Sequence, residues 1–188
     1  MSATNHAQEI KNDSKEYLTT ALFQLLNTKN LEEIKVTELA KRAGLSRMAF
    51  YRNYESVEDV LYNYFEPEIA SLFDTVIYQN SSEQKITQLE SFFHTFDAPL
   101  KSAIKRNYEH IIRKIFTENM IRFYETFAQI NNLSTQQKNY WTKFMSAGVY
   151  AIWREWILHP DTATLDEIHQ LIGGFQNATF ASLLVDEN

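Results

Sequence analysis

Apolar side chains recur along nearly the whole chain at intervals of three and four residues, and no segment alternates with the period of two of a half-buried strand. The first such run predicts a helix from about Ser14 to Leu26, with Asp13 and Glu16 spaced as a capping box and Tyr17, Leu18, Ala21, Leu22 and Leu25 on one face. Val36, Leu39, Ala40 and Ala43 mark a short second helix, Val36 to Ala43. Gly44 ends it, because a left-handed residue suits glycine there. Leu45 follows as an apolar plug, and Ser46 is placed to accept from a free backbone N–H at the start of a third helix. In that helix Phe50 points inward, one turn before Tyr54, while Arg47, Met48, Tyr51 and Arg52 face out.

The remaining pattern predicts six more helical stretches. Ser56 caps a long helix to about Ile77. Asn80-Ser81-Ser82 breaks the pattern, and Ser81 with Gln84 is spaced to open a helix to about Phe96. Asp97-Ala98-Pro99 reads as a turn, with Pro99 starting a short helix. An amphipathic run follows from Tyr108 to Gln129, then a loop at Asn131-Asn132. Ser134 with Gln137 caps a helix over Thr135 to Leu158, ended by His159-Pro160. Thr164 with Glu167 caps a last helix through about Leu184, and Val185 to Asn188 reads as a frayed tail. The expected fold is all-α, a three-helix helix-turn-helix module over residues 1–55 followed by a helical bundle over 56–188.

Composition agrees with that picture. A chain of 188 residues that is 44% hydrophobic and 14% aromatic has enough apolar mass for a core, so disorder beyond the termini is not expected. Four Gly and three Pro are too few for a fold of many tight turns. Zero Cys excludes a disulfide framework, a thiolate zinc site and a Cys nucleophile. His159 and His169 do not stand at a ligand spacing, so neither a metal nor a cofactor is expected. The first residues, MSATNHAQEIKNDSKEY, have no apolar core of signal-peptide length, and no window approaches the roughly 18 apolar residues of a membrane span. A cytoplasmic protein with no membrane partner is expected.

Charge is unevenly spread. The formal net charge is −6, yet Lys41, Arg42, Arg47 and Arg52 fall between Lys41 and Tyr54 with no acid among them. Residues 1–65 carry 8 Lys and Arg against 9 Asp and Glu, whereas residues 66–188 carry 10 against 15. Cations clustered on one face bind phosphate even in an acidic protein, although the same cluster also suits an ordinary solvated helix face.

Val36 to Leu61 supplies what a helix-turn-helix needs: small residues where the helices cross, a glycine turn, and a second helix with free donors. Leu39, Ala40, Ala43-Gly44-Leu45-Ser46, Phe50-Tyr51-Arg52-Asn53-Tyr54 and Ser56-Val57-Glu58-Asp59-Val60-Leu61, with Tyr17, Ala21 and Leu22 before them, resemble the TetR/AcrR family of bacterial transcriptional regulators. The resemblance covers about the first third of the chain. It implies that the helix after Ser46 lies in a DNA major groove, with Arg47 and Met48 at base edges, Tyr51 on a phosphate, Arg52 and Asn53 on the same side, and Lys35 and Thr37 on the backbone or an edge base. Many relatives carry a Lys one residue after the third-helix cap; Val57 stands there, between Glu55 and Glu58.

The resemblance further implies a homodimer on a palindromic operator and a small-molecule effector in the second region. Phe144 to Ile157 resembles one Gram-positive branch of the family more weakly. Gly148, Ala151, Ile152, Ile168, Leu171, Phe175 and Ala178 are the expected dimer face on the last two long helices. Phe93, His94, Tyr108, Tyr124, Trp141 and Phe144 are candidates for lining a ligand pocket, although an aromatic stripe equally suits plain core.

No phosphate loop, G-x-S-x-G, H-E-x-x-H or G-x-G-x-x-G is present, so an enzyme is not expected. The reading is a ligand-responsive repressor. An activator of the same family, or a helical interaction protein that binds no DNA, are the alternatives.

Overall fold

In the computed structural model, residues 2–78 and 82–184 are described. Among them the regular structure is entirely helical: α1 (Ser2–Leu26), α2 (Val36–Arg42), α3 (Arg47–Tyr51), α4 (Val57–Tyr78), α5 (Ser82–Lys105), α6 (Glu109–Glu125), α7 (Thr135–Leu158) and α8 (Leu165–Leu183). Short 3-10 turns stand at Leu31–Glu33, Ala128–Asn132 and Pro160–Thr162. The expected Ser81–Gln84 cap and the expected tail Val185 to Asn188 lie outside the described residues.

The chain divides into two compact units, Met1–Pro67 with Ser102–Ile112, and Glu68–Lys101 with Arg113–Asn188. The boundary read between residues 55 and 56 falls at the start of α4 rather than at the edge of a compact unit.

The first unit is built on the apolar faces of α1 to α3. Leu18, Ala21, Leu22 and Leu25 of α1, Leu39 and Ala40 of α2, and Phe50 and Tyr54 are buried. Removing Phe50 from water contributes on the order of 2–3 kcal/mol. The segment after α5 closes this unit. Leu31 N–H donates to the Arg106 carbonyl (3.0 Å), the Arg106 guanidinium donates to the Asn27 carbonyl, and Asn107 Nδ2 donates to Glu32 Oε1 (3.0 Å). Asn107 takes a φ of 61°, a left-handed conformation that asparagine tolerates better than most residues. Tyr108, fully buried, stacks on Phe65 with ring centroids 6.2 Å apart.

The second unit packs the later part of α4 with α5 to α8. Trp153 sits edge-on to both Phe93 (5.0 Å) and Phe116 (4.9 Å), and Phe116 meets Phe73 (5.0 Å). Polar pins join its helices: Trp141 Nε1 donates to Thr179 Oγ1 (3.1 Å) and Trp156 Nε1 to the Ala163 carbonyl (2.8 Å). The capping boxes at Ser134–Gln137 and Thr164–Glu167 are both formed, and the Thr164 bonds hold the Glu167 carboxyl below its ordinary pKa.

Four expectations are corrected. The first helix begins at Ser2, so Asp13 and Glu16 lie in its interior; residues 2–13 hold no Gly or Pro to stop it. Tyr17, at the edge of the buried stripe, is exposed. α5 runs through Pro99 without a turn. Phe93, Phe96 and Leu100 keep one buried face across the proline. Their burial, about 1.5–3 kcal/mol each, outweighs the roughly 3 kcal/mol that an interior proline costs. Pro67 inside α4 is bridged in the same way by buried Phe65 and Ile69. α6 stops at Glu125 rather than Gln129, where Thr126 Oγ1 bonds back to the Phe123 carbonyl (2.7 Å) and Ala128–Asn132 tightens around buried Ile130.

Candidate functional site

The turn between α2 and α3 is fixed by backbone bonds that the sequence sets up. Leu45 N–H donates to the Ala40 carbonyl (2.8 Å) and Gly44 N–H to the Lys41 carbonyl (3.2 Å), the two bonds of a Schellman motif. Gly44 sits at φ +69°, as that motif requires. Ser46 then caps α3, its Oγ accepting from Ala49 N–H (3.1 Å). With the helix started there, Phe50 turns into the core and meets Tyr54 at 6.0 Å, which leaves the opposite side of α3 in solvent.

On that side Met48 is 67% exposed and Tyr51 49% exposed. Arg47, Arg52, Ser46, Lys35 and Thr37 are exposed as well. Among the described residues, the side chains of Arg47, Arg52, Lys35 and Lys41 have no hydrogen-bond or ion-pair partner. Arg42 differs, since its Nε donates to Gln24 Oε1 of α1 (2.9 Å). Lys29 is likewise engaged, with Glu38 Oε1 at 2.6 Å. Asn53 departs from the expected outward set. It is half-buried, and its Nδ2 donates to the Ala49 carbonyl (2.9 Å), closing the end of α3. The chain is already turning inward there toward buried Tyr54.

Asp59 was not singled out in the sequence. Its Oδ2 accepts from both Glu55 N–H (2.9 Å) and Ser56 N–H (2.8 Å), while Asp59 N–H donates to Ser56 Oγ (3.2 Å). The backbone N–H groups of Glu55 and Ser56, just before α4, are thus taken by the protein's own carboxylate. The Ser-x-x-Asp spacing was the signal for it.

Of the residues named for a ligand pocket, Trp141 and Phe144 line one open pocket of ≈ 500 Å³ with Tyr140 and Thr179, and the others lie elsewhere. Phe93, Tyr124 and Trp141 are buried in aromatic contacts, His94 is exposed, and Phe144 is 63% exposed. Tyr108 belongs to the first unit. A cavity of ≈ 90 Å³ is instead lined from α4 by Leu72 and Phe73, from α5 by Leu89, from α6 by Met120 and Phe123, and from α7 by Val149 and Trp153. From α8 it takes His169, Ile172, Gly173 and Gln176. None of the six named residues lines it. Its walls come from five helices, so no single stretch of sequence carries its signature.

The residues named for a dimer face lie toward solvent. Leu171 is 47% and Phe175 48% exposed; Gly148, Ala151 and Ala178 are exposed, and Ile152 and Ile168 half-buried. A Cβ placed on Gly148 would meet nothing within 4 Å. Nothing in the chain's own packing therefore calls for glycine there.

Fold and site together define the class: an all-α protein with an exposed helix-turn-helix. No family model matches the chain. It is similar to an uncharacterized HTH-type transcriptional regulator, YxbF, of Bacillus subtilis (strain 168), at 24% identity over 163 residues, 81% of this chain and 42% of that protein. The chain thus spans 42% of the length of that curated relative. Among solved structures it is similar to the dihydroxyacetone kinase operon activator DhaS, with 18% identity, a TM-score of 0.46, and coverage of 93% of this chain and 98% of that one. It is also similar to the TetR family repressor AlkX from Dietzia sp. strain DQ12-45-1b, with 16% identity, a TM-score of 0.43, and coverage of 90% and 94%. All three are described as regulators of transcription or of an operon. Among the described residues no helix is long and apolar enough to cross a membrane.

Proposed function

We propose that this chain is a cytoplasmic transcriptional regulator of the TetR type, a ligand-responsive repressor that binds a two-fold symmetric DNA operator as a homodimer. The observation that carries the reading is the outer side of α3: Arg47, Met48, Tyr51 and Arg52 in solvent, the two arginines unpaired among the described residues, on a helix anchored from behind by Phe50. Arg47 offers a bidentate fork to guanine and Met48 an apolar contact to a thymine methyl. Tyr51, Arg52, Lys35, Thr37 and the Ser46 hydroxyl proton serve phosphates, which position the module without reading sequence. Asn53 supports α3 from behind. Since Val57 stands where many relatives carry a Lys, the phosphate contact that they place there is either missing or passes to Lys35, because Arg42 is engaged with Gln24.

One such module buries little DNA, so two are needed. The solvent-facing Phe144, Leu171 and Phe175, set among Gly148, Ala151 and Ala178, favour a second copy seated on α7 and α8. An effector acts by preferring one arrangement of the paired modules over the one that DNA prefers, and a coupling of about 1–3 kcal/mol shifts operator affinity roughly 5–150-fold.

The test is selection from random duplex DNA with the purified chain. The expected result is an enriched palindrome whose half-sites are about one helical turn apart. A pool that stays unenriched overturns the reading.

A further inference from the structure

We propose that the cavity between α4, α5, α6, α7 and α8 takes a small uncharged molecule, mostly hydrocarbon with one hydroxyl or carbonyl oxygen, held by the side-chain amide of Gln176. This deepens the effector part of the preceding reading and rests on it only for its consequence at DNA.

The walls decide the charge. No Asp, Glu, Lys or Arg lines the cavity, and nine of its eleven lining residues are apolar. A carboxylate or ammonium placed there would lose its hydration with no opposite charge to replace it, a cost of several kcal/mol. A hydrocarbon portion, by contrast, gains about 0.8 kcal/mol for each CH₂ removed from water.

Besides the indole N–H of Trp153, two polar side chains remain. His169 is an exposed residue and so marks the solvent side. Gln176 is half-buried, and its Nε2 donates to the hydroxyl of buried Tyr124 (2.7 Å). That bond uses one of the two amide hydrogens and fixes the side chain. The carbonyl Oε1 and the second N–H stay available, one acceptor and one donor. A hydroxyl matches both and a ketone oxygen matches the donor. A pure hydrocarbon would leave both unsatisfied.

Volume sets the size. A cavity of ≈ 90 Å³ is smaller than the roughly 150 Å³ that houses the six carbons of benzene, which limits the guest to about four non-hydrogen atoms. A three-carbon alcohol or ketone fits that limit.

The test uses the full chain labelled with ¹³C at the methionine methyls, titrated with 1-propanol, acetone, acetate and propylammonium, each of four non-hydrogen atoms. Met120 lines the cavity, and exposed Met48 on α3 serves as the internal control. The expected result is a saturable shift of the Met120 methyl with propanol and acetone, at least tenfold weaker binding of both ions, and an unmoved Met48. Gln176→Leu is expected to weaken propanol at least fivefold. Equal binding of the charged isosteres, a Met120 signal that does not saturate, or equal shifts at Met48 overturns the proposal. The charge series needs no substitution, so it decides the matter even if Gln176→Leu folds poorly. Because no DNA is present, failure here leaves the operator reading standing, and failure of operator selection leaves this one standing.

Discussion

Gln176 on α8 and Tyr124 on α6 share a 2.7 Å hydrogen bond in the interior of the second unit, with the Tyr124 ring fully buried. Burial disfavours the phenolate and pushes the Tyr124 hydroxyl up to about 12, with the Gln176 bond pulling part of the way back. The unfolded chain releases this proton near pH 10 and the native protein near 12. Native Tyr124 therefore contributes stability that is fully present below pH 10 and is lost as pH rises to 12, on the order of 2–3 kcal/mol. Urea midpoints are expected to fall across that window. Tyr54 and Tyr108, raised by burial as well, add to the fall. In Tyr124→Phe the decline is expected to be shallower, and an identical pH profile in the variant would refute the assignment.

Gly44 carries the turn between α2 and α3 by its backbone conformation alone, because a Cβ there would touch nothing within 4 Å. Gly44→Ala is expected to destabilise by about 1 kcal/mol, the cost of an L side chain at positive φ. Gly44→Asn is expected to cost less. Chemical denaturation of the two variants measures the difference.

Asp59 holds two backbone N–H groups at the entry to α4. Asp59→Ala is expected to cost about 1–2 kcal/mol. Asp59→Asn keeps one acceptor oxygen and should recover part of it. Equal stability of all three proteins by urea titration would show the cap to be idle.

Arg47 and Arg42 lie five residues apart in the same basic cluster but differ in what they touch. Arg47→Ala removes a solvated side chain, so the melting temperature is expected to stay within a degree or two, while affinity for a selected operator drops by about 1–3 kcal/mol. Arg42→Ala breaks the bond to Gln24 and is expected to act on the fold of the first unit as well. Fluorescence anisotropy with labelled duplex, beside thermal melts, separates the two. Full operator affinity in Arg47→Ala would remove that residue from base readout.

Phe175 is half in solvent on the outer side of α8. If a second copy covers it, Phe175→Glu buries a charge against an apolar face, and the protein is expected to sediment as a monomer at micromolar concentration with its helical signal retained. A wild-type chain that is itself monomeric at that concentration would dispose of the dimer.

The sequence alone determined what depends on near neighbours. The Schellman turn at Gly44, the caps at Ser46, Ser134 and Thr164, and the bounds of α7 all follow from residues within one or two turns of each other. The outward set on α3 was legible for the same reason, because fixing Phe50 inward fixes Arg47, Met48 and Tyr51 outward. What is decided at long range was hidden. Pro99 reads as a break until Phe93, Phe96 and Leu100 find partners that keep the helix whole. Tyr108 reads as a pocket aromatic until the chain after α5 returns to Phe65. Asn53 reads as a surface donor until its amide closes α3. The cavity takes its walls from five helices between Leu72 and Gln176, and no local pattern marks a void. Helical periodicity tells which face of a segment is apolar, but only packing decides which faces meet and where they leave room.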